Sequence, residues 1–242
     1  CEPATSFNRM TAELARAQQL RRQMTADIAH ELRTPLTLIL GHAEAVADGV
    51  LPADSQAIGV IYDEAQRLSR VVDDLRTLSL SDAGELSLLT EPVDPRALLE
   101  SAVAAHRVAA QEAQVALALS VADDLPAVEA DPDRILQVLH NLVSNALRYT
   151  DAGGSITLSA RPHQQGVLFG VQDTGRGIPV QELPSVFERF YRGDRSRHRD
   201  EGGSGLGLTI ARSLIERHAG RIWAESEPGQ GASLLFTLPL AR

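Results

Sequence analysis

Two apolar ladders at helical spacing dominate the first third of this chain. Met24, Ile28, Leu32 and Leu36 fall four residues apart, which is one stripe of a helix. After the turn-forming run Asp48-Gly49-Val50-Leu51-Pro52-Ala53-Asp54, the residues Ile58, Ile61, Ala65, Leu68, Val72 and Leu75 step by threes and fours. The spacing predicts two long helices, the first ending near Ala47 and the second running to about Leu80, joined as a hairpin. A lone hairpin covers little of its two seams. Two copies can pair them in a four-helix bundle, so the pattern predicts a homodimer. Packing of the hairpin onto its own downstream chain is the other way to cover the seams. Further upstream, Phe7, Met10, Leu14 and Ala17 follow the 3-4-3 rhythm of a coiled coil and extend the first helix toward the N-terminus.

His30 stands beside the first stripe, with Glu31 next to it and Thr34 one turn later. Pro35 cannot donate to the Glu31 carbonyl and its ring crowds that carbonyl, so a bend is expected just past His30. On this evidence His30 is either a nucleophile or an ordinary surface histidine.

Near Ser81-Asp82-Ala83-Gly84 the helical rhythm ends and the pattern becomes mixed. The expected elements are a short strand around Leu86–Pro92, a helix from Pro95 to about Ala113 and a strand near Val115–Ser120. Asp131-Pro132 opens the next helix as a capping aspartate followed by proline at the first helical position. Strands at about Ser155–Ala160 and Val167–Gln172 follow. A helix from about Leu206 to His218 is stopped by Gly220, and Ile222–Glu225 pairs with Ala232–Leu238. The tally is an α/β domain, a mixed sheet with helices packed on one face.

Composition narrows the function classes. A net charge of −9 argues against nucleic acid as a partner. All 23 basic residues are arginine, which rules out lysine chemistry. Cys1 is the single cysteine, so neither an internal disulfide nor a cysteine metal cluster is available. No apolar run reaches the roughly 18–20 residues of a membrane span.

On the helix opening at Asp131, rotation of about 100° per residue puts Asn141, Asn145 and Arg148 within an arc of roughly 60°. Amide oxygens suit Mg²⁺ and an arginine suits phosphate oxygens; a solvated helix face is the alternative. Asp173 ends an apolar strand and begins Asp173-Thr174-Gly175-Arg176-Gly177-Ile178-Pro179. A carboxylate there can accept an adenine amino group while Gly175 and Gly177 let the backbone come close, although a plain turn has the same composition. Gly202-Gly203-Ser204-Gly205-Leu206-Gly207-Leu208 enters a helix, where backbone amides form an anion site. Between these motifs lie Arg176, Arg189, Arg192, Arg195, Arg197, His198 and Arg199, a basic concentration suited either to a polyphosphate lid or to a solvated loop.

The order of these motifs resembles that of bacterial sensor histidine kinases. His30 and its neighbours resemble the phosphoacceptor box, and Asn141 to Tyr149 the asparagine box. Asp173 to Gly177 resembles the first glycine box, Phe187-Glu188-Arg189-Phe190 the phenylalanine box, and Gly203 to Leu208 the second glycine box. The resemblance implies a dimeric helical-hairpin bundle followed by an α/β two-layer sandwich of the Bergerat ATP-binding type, shared with gyrase B and MutL. It implies residues 1–20 as the end of a HAMP-like signalling helix, 21–82 as the dimerisation and phosphotransfer domain and 83–242 as the ATP-binding domain, with a hinge at Asp82–Glu85.

It further implies ATP and Mg²⁺ as cofactors, His30 as acceptor, Glu31 as its base and Thr34 in dephosphorylation of the regulator. Asn145 and Asn141 would hold the metal, with Arg148, Arg189 and Arg192 toward phosphates. Tyr149, Asp173, Gly175, Gly177, Ile178 and Phe190 would also bind ATP, together with the loop Gly203, Ser204, Gly205, Leu206, Gly207 and Leu208. The implied partners are a second copy and a response regulator receiver domain. The chain is then expected to be the cytoplasmic portion of an inner-membrane sensor, meeting the membrane only through a missing N-terminal region. A Bergerat ATPase or clamp, which releases phosphate rather than retaining it, is the competing reading.

Overall fold

The computed structural model describes residues 2–164, 166–191 and 204–241, with side chains from Thr25 onward. Its contacts form two compact units, Cys1–Leu75 and Arg76–Arg242. Among the described residues no helix is long and apolar enough to cross a membrane.

The first unit is made of α1 (Glu2–Ala47) and most of α2 (Ser55–Asp82). The expected hairpin is therefore present. Asp54 caps α2, its Oδ1 accepting the amides of Gln56 and Ala57 at 3.0 Å each. Gly49 takes the left-handed conformation (φ +71°) that the tight turn between the helices needs. Helix α1 continues through Pro35, whose ring is buried. The hydroxyl of Thr34 donates to the His30 carbonyl at 3.2 Å, and that of Thr37 to the Arg33 carbonyl at 2.9 Å. Polar back-bonding of this kind flanks the proline, where one amide donor is missing.

The last turns of α2 belong to the second unit. Thr77, Leu78 and Leu86 are buried there. Ser213 donates to Ser81 at 2.5 Å, and Arg189 reaches both carboxylate oxygens of Asp82 at 2.5 and 2.7 Å. Arg217 donates to the carbonyls of Gly84 and Leu86.

The second unit continues with β1 (Glu91–Val93), α3 (Pro95–Glu112), β2 (Ala116–Val121), β3 (Val128–Ala130) and α4 (Pro132–Tyr149). Then come β4 (Ser155–His163), β5 (Gly166–Asp173), a 3-10 turn at Leu183–Ser185, α5 (Gly207–Arg217), β6 (Ile222–Ser226) and β7 (Ala232–Pro239). Five strands lie in the order β2-β4-β5-β7-β6, antiparallel except for the β2–β4 pair. Strands β4 and β7 alternate buried and partly exposed residues, as expected of a sheet covered on one face. Ile156, Leu158, Leu234 and Phe236 point into that core. Phe169 and Phe236 are cross-strand partners whose rings stack at 4.9 Å, a pairing that contributes about 0.5–1.5 kcal/mol beyond its buried area.

Two expectations need correction. The strand placed at Leu86–Pro92 begins only at Glu91, because the Leu89 amide is taken by the Asp131 carboxylate (3.0 Å) rather than by a strand neighbour. Its true partner is β3, a strand too short to leave a pattern in the sequence. At the end of α5 the left-handed residue is Ala219 (φ +56°), not Gly220. Gly220 is instead required by proximity, since a Cβ there would run into the carbonyl of Thr237.

Candidate nucleotide-binding site

Helix α4 is the scaffold of the site. Asp131 caps it through Oδ1 to the Arg134 amide (3.2 Å), and Pro132 supplies the preset first φ. The backbone amide of Asp131 donates to His218 Nε2 at 3.0 Å, and His218 Nδ1 bonds the Leu214 carbonyl at 2.7 Å. One imidazole tautomer satisfies both contacts, and it ties the end of α5 to the start of α4. Ile135, Val138, Leu139, Leu142, Val143 and Ala146 are buried. Asn145 and Tyr149 face a cavity of about 410 Å³.

Asp173 also lines that cavity. Its Oδ1 accepts the amides of Gly175 (2.8 Å) and Ala232 (3.2 Å). Burial pushes its carboxyl pKa up, and these two amide hydrogen bonds pull in the opposite direction. Two backbone approaches frame the residue. A Cβ on Gly175 would run into the carbonyl of Tyr149, and one on Gly231 into the carbonyl of Asp173 itself. The end of α4, the turn after β5 and the start of β7 therefore touch backbone to backbone.

The second glycine stretch enters α5 beside α4. Asn141 Nδ2 donates to the Gly207 carbonyl at 3.0 Å, and Ser204 Oγ accepts the Leu206 amide at 3.3 Å. Leu206 is fully buried, while Leu208 lines the cavity. Gly205 (φ +67°) accepts the amide of Phe190 at 3.1 Å. Phe190 itself has φ +58°, a conformation uncommon for a bulky side chain and held here by that bond.

Of the residues expected to bind nucleotide, Asn145, Tyr149, Asp173, Gly177, Ile178 and Leu208 line this cavity. Gly175 lets its walls approach. Asn141 braces Gly207 rather than lining the space. Arg148 is exposed and outside the lining, and Arg189 is paired with Asp82. Arg192 and Gly203 lie outside the described residues. His30 and Thr34 are exposed on the first unit, with Glu31 half-buried. The sequence reading missed Pro179, Glu182, Val186, Tyr191, Pro228 and Ala232 as lining. The one available signal for the last two was the turn Pro228-Gly229-Gln230-Gly231 just before the final strand.

No group of three or more histidine, cysteine or acidic side chains is arranged for a metal ion among the described residues. The cavity does hold the Asn145 amide, and Asn141 keeps its own oxygen while its NH₂ is engaged with Gly207. This neutral set fits Mg²⁺, which takes few protein ligands and completes its shell with water and substrate phosphates.

Residues 130–242 match the family described as histidine kinase-, DNA gyrase B-, and HSP90-like ATPase, and residues 20–84 match the His Kinase A (phospho-acceptor) domain. The signal transduction histidine-protein kinase BaeS of Escherichia coli K12 is 42% identical over 239 residues, 99% of this chain and 51% of the relative. The chain thus spans about half the length of that relative. Among solved structures, Acinetobacter baumannii histidine kinase AdeS superposes with a TM-score of 0.75 at 28% identity, covering 88% of this chain and 98% of the other. Histidine kinase ThkA, in complex with response regulator protein TrrA, gives 0.71 at 25% identity over 94% and 64%. With a phosphoacceptor helical hairpin, an ATPase-type α/β unit and relatives of this kind, the chain belongs to the sensor histidine kinases.

Proposed function

We propose that the chain is an ATP-dependent protein histidine kinase that phosphorylates His30 and passes the phosphoryl group to an aspartate of a response regulator. The observation that carries this reading is the convergence of Asn145, Tyr149, Asp173 and Leu208, from three separate stretches of sequence, on one cavity. The exposure of His30 on a helix matched to a phosphoacceptor domain adds to it. The Oδ2 of Asp173 is the acceptor for the adenine amino group, because its Oδ1 is already committed to two amides.

A neutral His30 ring nitrogen attacks the γ-phosphorus, the bond to the β,γ-bridging oxygen breaks, and ADP leaves with the electron pair. Glu31 takes up or holds the proton of the other ring nitrogen. Asn145, with Asn141 beside it, would hold Mg²⁺, which supplies charge neutralisation on the phosphates when bound. In the second half-reaction the aspartate oxygen attacks the phosphorus and His30 leaves as the neutral ring.

A homodimer is part of the same proposal. Leu36, Leu40, Ile58, Tyr62 and Val72 are large apolar residues left exposed on the hairpin helices, Tyr62 by 61%, and a facing copy would cover such a seam. A regulator partner is supported by the ThkA relative, whose structure includes one. Thr34 gives its proton to the His30 carbonyl, so its oxygen is left to accept from a water during regulator dephosphorylation. An ATPase clamp without histidine phosphorylation is disfavoured by the phosphoacceptor match over residues 20–84.

The test is incubation with γ-labelled ATP and magnesium. Wild type is expected to retain acid-labile, alkali-stable label, and His30→Gln to lose it while still binding nucleotide. Label surviving in His30→Gln excludes His30 as the acceptor.

A further inference from the structure

The guanidinium carbon of Arg176 lies 4.4 Å from the centroid of the Tyr149 ring. Both residues line the cavity that Asp173 also lines. The backbone of Arg176 is gripped from two sides: its amide donates to the Tyr149 carbonyl at 3.4 Å, and its carbonyl accepts the Gly229 amide at 2.8 Å. Its neighbours reinforce the grip. A Cβ on Gly175 would strike the Tyr149 carbonyl and one on Gly177 (φ +71°) the Glu227 carbonyl. Arg176 is thus wedged between the end of α4 and the turn after β6. Among the described residues it has no ion pair within 4.0 Å, so the ring is the partner its side chain has been given.

We propose that Arg176 is a positioning residue of the base subsite. Its guanidinium lies over one face of Tyr149 and fixes the ring as a planar wall against which a purine stacks, with Asp173 at the edge of the base. This rests on the nucleotide-binding reading above and adds to it that the arginine serves the base end, not the phosphates. Two observations favour that end. Arg176 follows Asp173 closely in the same turn, and it stacks on a ring rather than projecting toward the Gly205–Gly207 turn, whose backbone suits anions. The attraction between guanidinium and ring at an exposed site corresponds to roughly a 2- to 5-fold effect on an equilibrium.

The experiment measures binding of AMP, ADP and ATP, with magnesium, to the full chain carrying His30→Gln so that nothing is consumed. In that background Arg176→Ala is expected to weaken all three nucleotides by the same factor, about 2- to 5-fold. With Tyr149→Leu also present, Arg176→Ala is expected to change affinity less than about 2-fold, because the ring it positions is gone. Losses that climb from AMP to ATP make Arg176 a phosphate ligand and overturn the proposal. So do unchanged affinities, or full multiplication of the Arg176 and Tyr149 effects. Failure of the His30→Gln parent to bind any nucleotide would instead overturn the proposed function, so the two failures are distinguishable. Thermal melts of each variant without nucleotide confirm that the fold is intact.

Discussion

Asp173→Asn tests the base subsite at its edge. The change is nearly isosteric, so its effect depends on which atom takes which place. Oδ1 accepts the Gly175 and Ala232 amides at 2.8 and 3.2 Å. An asparagine oxygen in that place keeps both contacts and puts the NH₂ where Oδ2 was. Flipping the amide to spare the cavity would turn its NH₂ onto two backbone donors, so the first orientation wins. The adenine amino group then faces a donor. Losing a hydrogen bond to a charged acceptor costs about 1.5–3 kcal/mol, and an unsatisfied buried donor costs about 1–3 more. A total near 3 kcal/mol corresponds to a loss on the order of a hundredfold in affinity for ADP.

The fold itself should not suffer. Burial raises the pKa of Asp173 above the ordinary carboxylate value, so its proton is held more tightly in the folded than in the unfolded chain. Stability from this group is full below the unfolded value of 3.8 and declines as the pH rises through the folded value. At neutral pH the carboxylate is a net cost that asparagine removes, and the weaker amide hydrogen bonds offset that gain. The melting temperature without ligand is expected to stay within a few degrees. Calorimetric titration with ADP and IDP gives the decisive ratio. Hypoxanthine presents a carbonyl where adenine has its amino group, so the variant should shift preference toward IDP by more than about tenfold. An ADP-to-IDP ratio equal to that of wild type, in a folded variant, would refute the assignment.

Asp74, on α2, has its pKa raised from 3.8 to about 6 by burial first and by Asp73 second, with Arg70 opposing. Its stabilising contribution is therefore present below pH 3.8 and lost as the pH rises through about 6. Asp74→Asn should raise the melting temperature at pH 8 and leave it unchanged near pH 4. The full shift corresponds to about 3 kcal/mol, and the side chain's partial exposure brings the expected gain to about 1. Thr34→Ala should keep at least half of the label on His30 while losing acceleration of regulator dephosphorylation, read as decay of purified phosphorylated regulator with ADP present.

What could be read in advance was whatever local pattern decides. Asp131-Pro132 marked the start of α4 because capping and a preset φ act within one turn, and Asp94-Pro95 does the same for α3. The 3-4 ladder of α2 gave its length for the same reason. Asp173 was legible as a carboxylate at the end of an apolar strand. Contacts set by distant partners were not legible. Strand β1 waits for β3, which lies beyond α3 and β2. Ala219 takes the glycine-like φ while the glycine stands one residue later, where the approach of the Thr237 carbonyl leaves no room for a Cβ, so tertiary fit overrides local preference. The buried His218 bridging to Asp131 and the stack of Arg176 on Tyr149 each join residues far apart in sequence.

The same limit applies to the segment Asp82–Glu85, expected as a hinge, whose bonds come partly from residues far along the chain. The amides of Glu85 and Leu86 both return to the Leu80 carbonyl, and the carbonyls of Gly84 and Leu86 are held by Arg217. Arg189, expected among the phosphates, is engaged by Asp82 instead. Unseating residues 76–86 would expose the buried Leu78 and Leu86, at about 1.5–3 kcal/mol each, besides breaking the polar contacts. His30 belongs to the first unit and the cavity to the second. The last turns of α2 are thus bonded into the ATP-binding unit itself.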